Sequence, residues 1–417
     1  MLFPSGPLAR LRGNLSLLGP GIAVAATGVG AGDMIAGTSA GARFGTTLLW
    51  AAAFSALLKY VLNEGIARWQ LATGTTLLEG WVERLGRPLQ YYFLAYLIGW
   101  AFMVGGGLIS ACGIAGHTIF PTFSVSVWGI LHSITAVALV LLGRYSFFEP
   151  LMKGLIGVMF VSFLIGAVEL RPAFHELLRG LAFPSVPAGS VRPILSVIGG
   201  VGGSLTILCY GYWIRESGRD GTSWMRGTRI DLGVAYTLTG FFGVAVMILA
   251  ARVHPGAAGG SRIVLAMADP LASALGPVGR WGLYAGFWAA VFSSLLGVWQ
   301  GVPYMFADFV ALLKRLQPAE RAELVSSRSV YYRGFLLFLA FPPMLLLLFQ
   351  KPVAVVLAYA AVGALFMPFL AGTLLYMNTR RQWVGNLRNG WPTTLLLALA
   401  LLVFLYLGIH GVVEGAD

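Results

Sequence analysis

The sequence predicts an all-α membrane protein of eleven transmembrane helices, with helices 1 and 6 discontinuous and the spans arranged as a 5+5 inverted repeat. Three observations carry this expectation. First, 58% of the 417 residues are hydrophobic and 11% are charged, with a mean hydropathy of +0.80; soluble globular chains average about 45–50% apolar and about 25% charged. Second, apolar runs of about 20 residues recur, the length a helix needs to cross a bilayer. Third, two runs five apart in the order carry dense glycine in mid-span. This composition excludes a soluble enzyme, a nucleic-acid binder and a disordered chain. The net charge of +12 is of the kind that gathers in cytoplasmic loops of membrane proteins rather than on a nucleic-acid patch. Cys112 and Cys209 fall inside apolar runs and form neither a disulfide framework nor a zinc motif.

In chain order the expected spans are 15–44, 46–72, 89–116, 122–142, 151–170, 193–214, 231–252, 278–304, 333–350, 353–378 and 393–412. Polar or Pro/Gly-rich pieces separate them. Each must satisfy its own backbone in lipid, so each is read as a helix, and the alternating ten-residue strands of a membrane barrel are absent. The first run is too long for a signal peptide and many spans follow it. The whole chain, 1–417, reads as one transmembrane domain: a first repeat over 15–170, a second over 193–378, and an extra helix over 393–412. Basic residues cluster in alternate loops, as in Arg215, Arg219, Arg226 and Arg229 or Lys314, Arg315, Arg321, Arg328 and Arg333. That bias places the N-terminus in the cytoplasm and, after eleven crossings, the C-terminus outside.

The first span is longer than a straight crossing requires. Its run 15–44 would rise about 45 Å against a hydrocarbon core of about 30 Å. Its middle, Thr27-Gly28-Val29-Gly30-Ala31-Gly32-Asp33, is weakened by glycine. Span six opens Ile198-Gly199-Gly200-Val201-Gly202-Gly203-Ser204-Leu205-Thr206. Glycine-interrupted segments at corresponding places in two halves point to a binding site at the midplane. Unwound backbone there exposes carbonyls to a cation. The bland alternative is close helix packing, which glycine also serves and which the run Gly105-Gly106-Gly107 suggests. Asp33 reads both as a mid-membrane acid, which is expensive and usually functional, and as an N-cap of the half-helix that follows.

Several motifs resemble the Nramp family of divalent-metal transporters. They are Gly19-Pro20-Gly21, then Ala40-Gly41-Ala42-Arg43-Phe44-Gly45 and Leu48-Leu49-Trp50 at the family's spacing. Gln70-Leu71-Ala72-Thr73-Gly74, Ser293-Ser294-Leu295-Leu296-Gly297 and Phe366-Met367-Pro368-Phe369-Leu370 add to the likeness. The resemblance implies a LeuT-like fold, alternating access, a divalent cation as substrate rather than a cofactor, and a bacterial inner (plasma) membrane. It implies neither an enzyme nor an obligatory protein partner. The diagnostic residues depart from the family. Where its first broken helix carries Asp-Pro-Gly-Asn, this chain has Gly30-Ala31-Gly32-Asp33. Where its sixth carries Met-Pro-His, this chain has Thr206-Ile207-Leu208. Span three, which holds the family's proton-carrying acids, has none.

Losing a thioether and keeping a carboxylate moves a metal site from soft to hard. Asp33, the Thr206 hydroxyl and carbonyls near Val29, Gly30 and Gly203 are the expected ligands of a partly hydrated cation such as Mg²⁺ or Mn²⁺. Thr206 reads equally as a helix threonine bonded back to its own backbone. Lys59, Asn63, Glu64 and Arg68 fall within ten residues of span two. Lys59 lies about 20 Å along the helix from the outer end, so it needs a partner, either Asp33 or Glu64. If that partner is Asp33, a tethered ammonium fills the space of a metal, and a small anion or zwitterion becomes the alternative cargo. Arg215 and Glu216 at the end of span six read as interface charges or as an inner gate pairing with Glu64 or Arg68. A membrane signalling or scaffold domain without transport ranks last. His117 and His132 read as satisfied hydrogen-bonding residues, and Asp269-Pro270 and Asp308 as helix-end features.

Overall fold

In the computed structural model, the described residues are 19–142, 145–170, 172–200, 204–252 and 262–416. They are helical almost throughout. The first span is two helices, α1 (Pro20–Gly28) and α2 (Ala31–Phe44), parted by Val29 in an extended conformation (φ −86°, ψ 110°). Then come α3 (Leu49–Thr73), α4 (Leu77–Arg84), α5 (Arg87–Ile119), α6 (Val125–Leu142) and α7 (Tyr145–Glu169). A short helix, α8 (Phe174–Ala182), turns back by 120° from α7. The sixth span is likewise divided. Its first half is α9 (Val191–Gly200); a 3₁₀ turn at Leu205–Leu208 leads into its second half, α10 (Cys209–Glu216). The remainder is α11 (Met225–Ala250), α12 (Arg262–Leu275), α13 (Pro277–Leu313), α14 (Pro318–Val325), α15 (Val330–Ala340), α16 (Pro352–Ala364), α17 (Phe366–Asn378), α18 (Arg381–Val384) and α19 (Trp391–Ala416).

Eight helical stretches among the described residues are long and apolar enough to cross a membrane, or ten if two bent pairs each count as one. That tally takes 32–73 as one stretch, although it holds the second half of the first broken span and all of the next. Most other expected spans fall on these helices with displaced ends, but the ninth, 333–350, is α-helical only to Ala340 and continues as a 3₁₀ helix over Pro342–Phe349, and the tenth, 353–378, is divided between α16 and α17. Two further expectations change. Asp269 and Pro270 lie inside α12, not at its end, and Asp308 lies inside α13, which runs on to Leu313. Proline is tolerated within a membrane helix where neighbours satisfy the freed carbonyl.

The broken spans cross at the centre. Half-helix α2 packs on α9, and α1 packs on α10, while α3 lies along α11 and α5 along α16. Each half of one interrupted span therefore meets a half of the other, as an inverted repeat requires. The approach at the crossing is backbone to backbone: a Cβ on Gly200 would stand 3.1 Å from the carbonyl carbon of Gly32. A side chain at either place would press the two breaks apart by a few tenths of an ångström. Glycine also serves packing elsewhere, since side chains at Gly105, Gly106 and Gly107 would strike Pro343, Leu346 and Tyr359. Large apolar side chains such as Leu142, Val168, Phe174 and Leu348 remain exposed, as a lipid-facing surface allows.

Candidate cation site between the broken helices

Where α1 stops and α2 begins, the N-cap is Gly30 and not Asp33 as expected; Asp33 is the third residue of α2 and reaches back to that cap. Its Oδ2 accepts the Gly30 N–H at 2.7 Å, and the carboxylate is buried at 1% exposure. The Gly30 carbonyl is not open to a ligand through its helical lone pair, because it accepts the Met34 N–H at 3.0 Å. Val29 is fully buried at the break. Gly203, expected to contribute a carbonyl, lies outside the described residues. Thr206 stands in the 3₁₀ turn that opens the second half of span six, buried.

The two breaks enclose a cavity of about 20 Å³, lined among others by Thr27, Gly28, Gly199, Gly200, Ser204, Thr206, Ser294 and Tyr359. That is room for about one water molecule or one bare ion. The polar side chains on its wall are hydroxyls, apart from the Trp100 indole, whose N–H is given to Ser204 Oγ at 3.0 Å. Ser294 donates to the Thr27 carbonyl at 3.1 Å. The Thr27 hydroxyl itself is buried without a hydrogen-bond partner, and such an oxygen costs free energy until something binds it. The Tyr359 hydroxyl reaches the Gly32 backbone. Among the described residues no group of three or more His, Cys, Asp or Glu side chains gathers to hold a metal. Of the expected ligands Thr206 lines this cavity, whereas Asp33, Val29 and Gly30 are not on its wall, which offers neutral oxygens and neither sulfur nor imidazole.

Lys59 settles beside this cavity. It is fully buried, and its ammonium donates to the Gly199 carbonyl at 2.9 Å. One turn earlier on α3, Ser55 donates to the Ile198 carbonyl at 2.8 Å. Span two thus occupies the carbonyls freed at the end of α9. Of the two expected partners, Asp33 lies in the first turn of α2, one residue after Gly32, whose backbone meets Gly200 beside the Gly199 that Lys59 bonds. Glu64 is committed elsewhere: Arg68 grips it through Nη2 at 2.6 Å and Nε at 3.2 Å, and Arg229 adds a contact at 2.9 Å.

The expected gate is rearranged. Arg215 does not reach Glu64 or Arg68. It donates to both carboxylate oxygens of Glu79, at 3.1 and 3.0 Å. Arg321 also contacts Glu79, and its Nε donates to Asp308 at 2.6 Å. The Tyr212 hydroxyl donates to the other Asp308 oxygen at 2.7 Å. One chain of charges therefore joins α4, α10, α13 and α14. Glu216 enters no ion pair with Glu64 or Arg68; it lines a wider cavity of about 590 Å³ with Arg215, Gln300, Tyr304, Asp308 and Arg321. Glu79 had a signal in the sequence, since Thr76 and Glu79 form a capping box, with Thr76 Oγ1 accepting the Glu79 N–H at 3.2 Å. That pattern marks a helix start and says nothing about the second job of the carboxylate.

A second unanticipated acid anchors the beginning of the broken span. Asp231 on α11 is fully buried and accepts from the backbone of Gly19 at 3.3 Å, Gly21 at 2.9 Å, Arg219 Nη1 at 2.9 Å and the Tyr210 hydroxyl at 3.3 Å. A Cβ on Gly21 would come within 2.5 Å of the Asp231 carboxylate, which accounts for the second glycine of Gly19-Pro20-Gly21. Tyr210 is therefore held away from the central cavity. The histidines behave as expected: His117 bonds the Phe123 carbonyl at 2.7 Å, and His132 bonds the Trp128 carbonyl at 2.7 Å while accepting the Trp288 indole N–H at 2.9 Å.

Comparison with known proteins points the same way. A family model described as natural resistance-associated macrophage protein-like (Nramp) matches residues 21–414. The divalent metal cation transporter MntH of Mycobacterium leprae (strain TN) is 24% identical over 96% of this chain and 94% of its own length. The MntH of Aeromonas hydrophila is 25% identical over 57% of this chain and 60% of that protein. Among solved structures, the manganese transporter of Eremococcus coleocola superposes with a TM-score of 0.76 at 18% identity, covering 99% of this chain and 89% of that one. MhsT in complex with L-phenylalanine superposes with a TM-score of 0.55 at 16% identity, covering 92% of this chain and 97% of MhsT. At such identities the structural likeness is one of fold.

Proposed function

This chain belongs to the Nramp family, and from that premise we propose that it is a secondary transporter that carries a hard divalent cation, Mg²⁺ or Mn²⁺, by alternating access. The observation that carries the reading is the donor set. At the contact of two broken helices, an ion-sized cavity is walled by hydroxyls, with one of them unpartnered, and the buried Asp33 carboxylate, though not on that wall, follows Gly32, which meets the lining residue Gly200. Oxygen donors favour Mg²⁺ and Mn²⁺ over soft metals, and Mg²⁺ needs only one or two carboxylates because it keeps several waters. The relatives named for divalent metal transport support the cargo class.

In this reading 15–170 and 193–378 are the two repeats that rock against each other, with the N-terminus cytoplasmic and the C-terminus outside the plasma membrane. The charge chain through Glu79, Arg215, Arg321 and Asp308 is the cytoplasmic gate, and the cavity beside Glu216 is the vestibule below it. Span three holds no acid, so movement is downhill uniport, and uphill uptake driven by a pH gradient would contradict that. Calorimetry with a panel of divalent cations, joined to uptake into proteoliposomes, tests the cargo. Binding of Mg²⁺ or Mn²⁺ that disappears in Asp33→Asn supports the site; undiminished transport in that variant removes it.

The Lys59 ammonium on the Gly199 carbonyl favours one second reading. A permanent internal cation suits a small anion or zwitterion as cargo. On that reading no divalent cation binds, and replacing Lys59 abolishes transport outright.

A further inference from the structure

Lys59 places a group that is cationic in water in the interior of a 25-residue membrane helix, with no exposed surface. Such a charge persists only where the protein supplies its counter-charges. Two are on the page. The C-terminal end of a half-helix carries partial negative charge on its last carbonyls, and Lys59 donates to one of those of α9, at Gly199. The Asp33 carboxylate, at the start of α2, belongs to the other broken span and follows Gly32, whose backbone meets Gly200, the residue after the one that Lys59 bonds. The chain has therefore put a cation of its own between the two features that would draw a cation from solution. Gly199 is also on the wall of the central cavity, so ammonium and cargo are neighbours. Two positive groups a few ångströms apart in a site of low polarity repel strongly, and one carboxylate cannot neutralise both.

We propose that Lys59 is a tethered stand-in for the cargo. With the site empty, its ammonium balances Asp33 and the end of α9, so the unloaded carrier can close and turn over without a second ion. With cargo bound at Asp33, the ammonium is held back at the Gly199 carbonyl. Ser55, one turn away on the Ile198 carbonyl, keeps α3 seated on α9 in both conditions, so that the ammonium changes only its reach. The inference rests on the reading of Asp33 as part of the cargo site.

The test compares two Mn²⁺ fluxes in proteoliposomes of the full-length protein: net uptake into empty vesicles, and exchange into vesicles preloaded with Mn²⁺. Exchange does not need the empty carrier to return; net uptake does. In the unaltered protein the two rates should agree within about twofold, as a return step with no charge penalty requires. In Lys59→Met exchange should persist, net uptake should fall at least about tenfold, and calorimetric Mn²⁺ affinity should rise as the internal repulsion is lost. Lys59→Arg, which keeps the charge, should recover net uptake in part. Equal loss of exchange and net uptake in Lys59→Met, with no gain in affinity, would overturn the inference. If Lys59→Met does not assemble, strong acceleration of the unaltered protein by preloading overturns it alone, and equal rates support it. Asp33→Asn separates the two levels of the argument. Continued Mn²⁺ binding in that variant sinks the cargo site itself, whereas lost binding there with unchanged flux ratios in Lys59→Met sinks only the role of the lysine.

Discussion

Replacing Glu79 with glutamine should open the cytoplasmic side of the protein. The Glu79 side chain is 6% exposed, that of Arg321 20% and that of Arg215 37%. The Arg215 contact, more than a third exposed on its basic side, is screened and contributes at the low end of the range of about 0–1 kcal/mol for surface pairs. The Arg321 contact is better shielded, and hydrogen bonds to charged groups contribute about 1.5–3 kcal/mol. Part of that survives, because Arg321 keeps Asp308 at 2.6 Å and glutamine keeps an acceptor for the Thr76 N–H. The net loss is about 1–2 kcal/mol, which shifts the closed-to-open ratio by about 5- to 30-fold. A cysteine placed at Thr206, on the wall of the closed central cavity, reads the shift. Cys112 and Cys209 are buried and add little background. In inside-out vesicles a membrane-impermeant maleimide should label Thr206→Cys slowly, and Thr206→Cys with Glu79→Gln faster by that factor. An unchanged labelling rate removes the charge chain from the gating mechanism.

Three further outcomes follow from the same geometry. Thr27→Val deletes a buried hydroxyl that has no partner, so thermal stability in detergent should hold or rise while divalent-cation affinity falls about fivefold; a parallel loss of both would make Thr27 structural. Asp231→Ala removes the buried carboxylate that Arg219, itself 4% exposed, pairs with and should cost about 3 kcal/mol, seen as a drop in melting temperature that Arg219→Met partly reverses. Asp33→Asn keeps an amide oxygen for the Gly30 N–H but removes a counter-charge of the buried Lys59, so the melting temperature should fall and Lys59→Met should restore it in part, while cation binding is abolished in either background; retained binding would take the carboxylate out of the site.

The large features were legible because they depend on length and composition. A run must be long and apolar to cross lipid, and glycine density with excess length located the break at Val29–Gly30. Asp33 was legible as a mid-membrane acid at a helix start. The pairings were not. Lys59 was correctly read as needing a partner, but nothing in span two says that the ammonium will take a backbone carbonyl of α9, 140 residues away. Glu64 looked available to Lys59 or to Arg215 because Arg229, 165 residues on, leaves no local trace. Asp231 and Glu79 escaped for the same reason: each gathers donors from several helices, and only the assembled bundle brings those helices to one place. The amphipathic α8 was passed over as part of a polar connection, since nine residues are too few to stand out beside membrane spans.

The length of α13 divides the protein electrically. Its 37 residues extend about 55 Å, whereas the hydrocarbon layer is about 30 Å thick, so a good part of this rod must stand among headgroups and in water. Asp308 is five residues from its far end. The Asp308 and Glu79 carboxylates there are buried, but the Arg321 and Arg215 side chains that hold them are 20% and 37% exposed and so meet mobile ions, whose atmosphere at physiological strength fades over about 8 Å, while Asp33 and Lys59 are sealed from that atmosphere. Added electrolyte should therefore slacken the closed cytoplasmic face and leave the central pair as it was, which makes salt a handle on one end of the transport cycle and not on its middle.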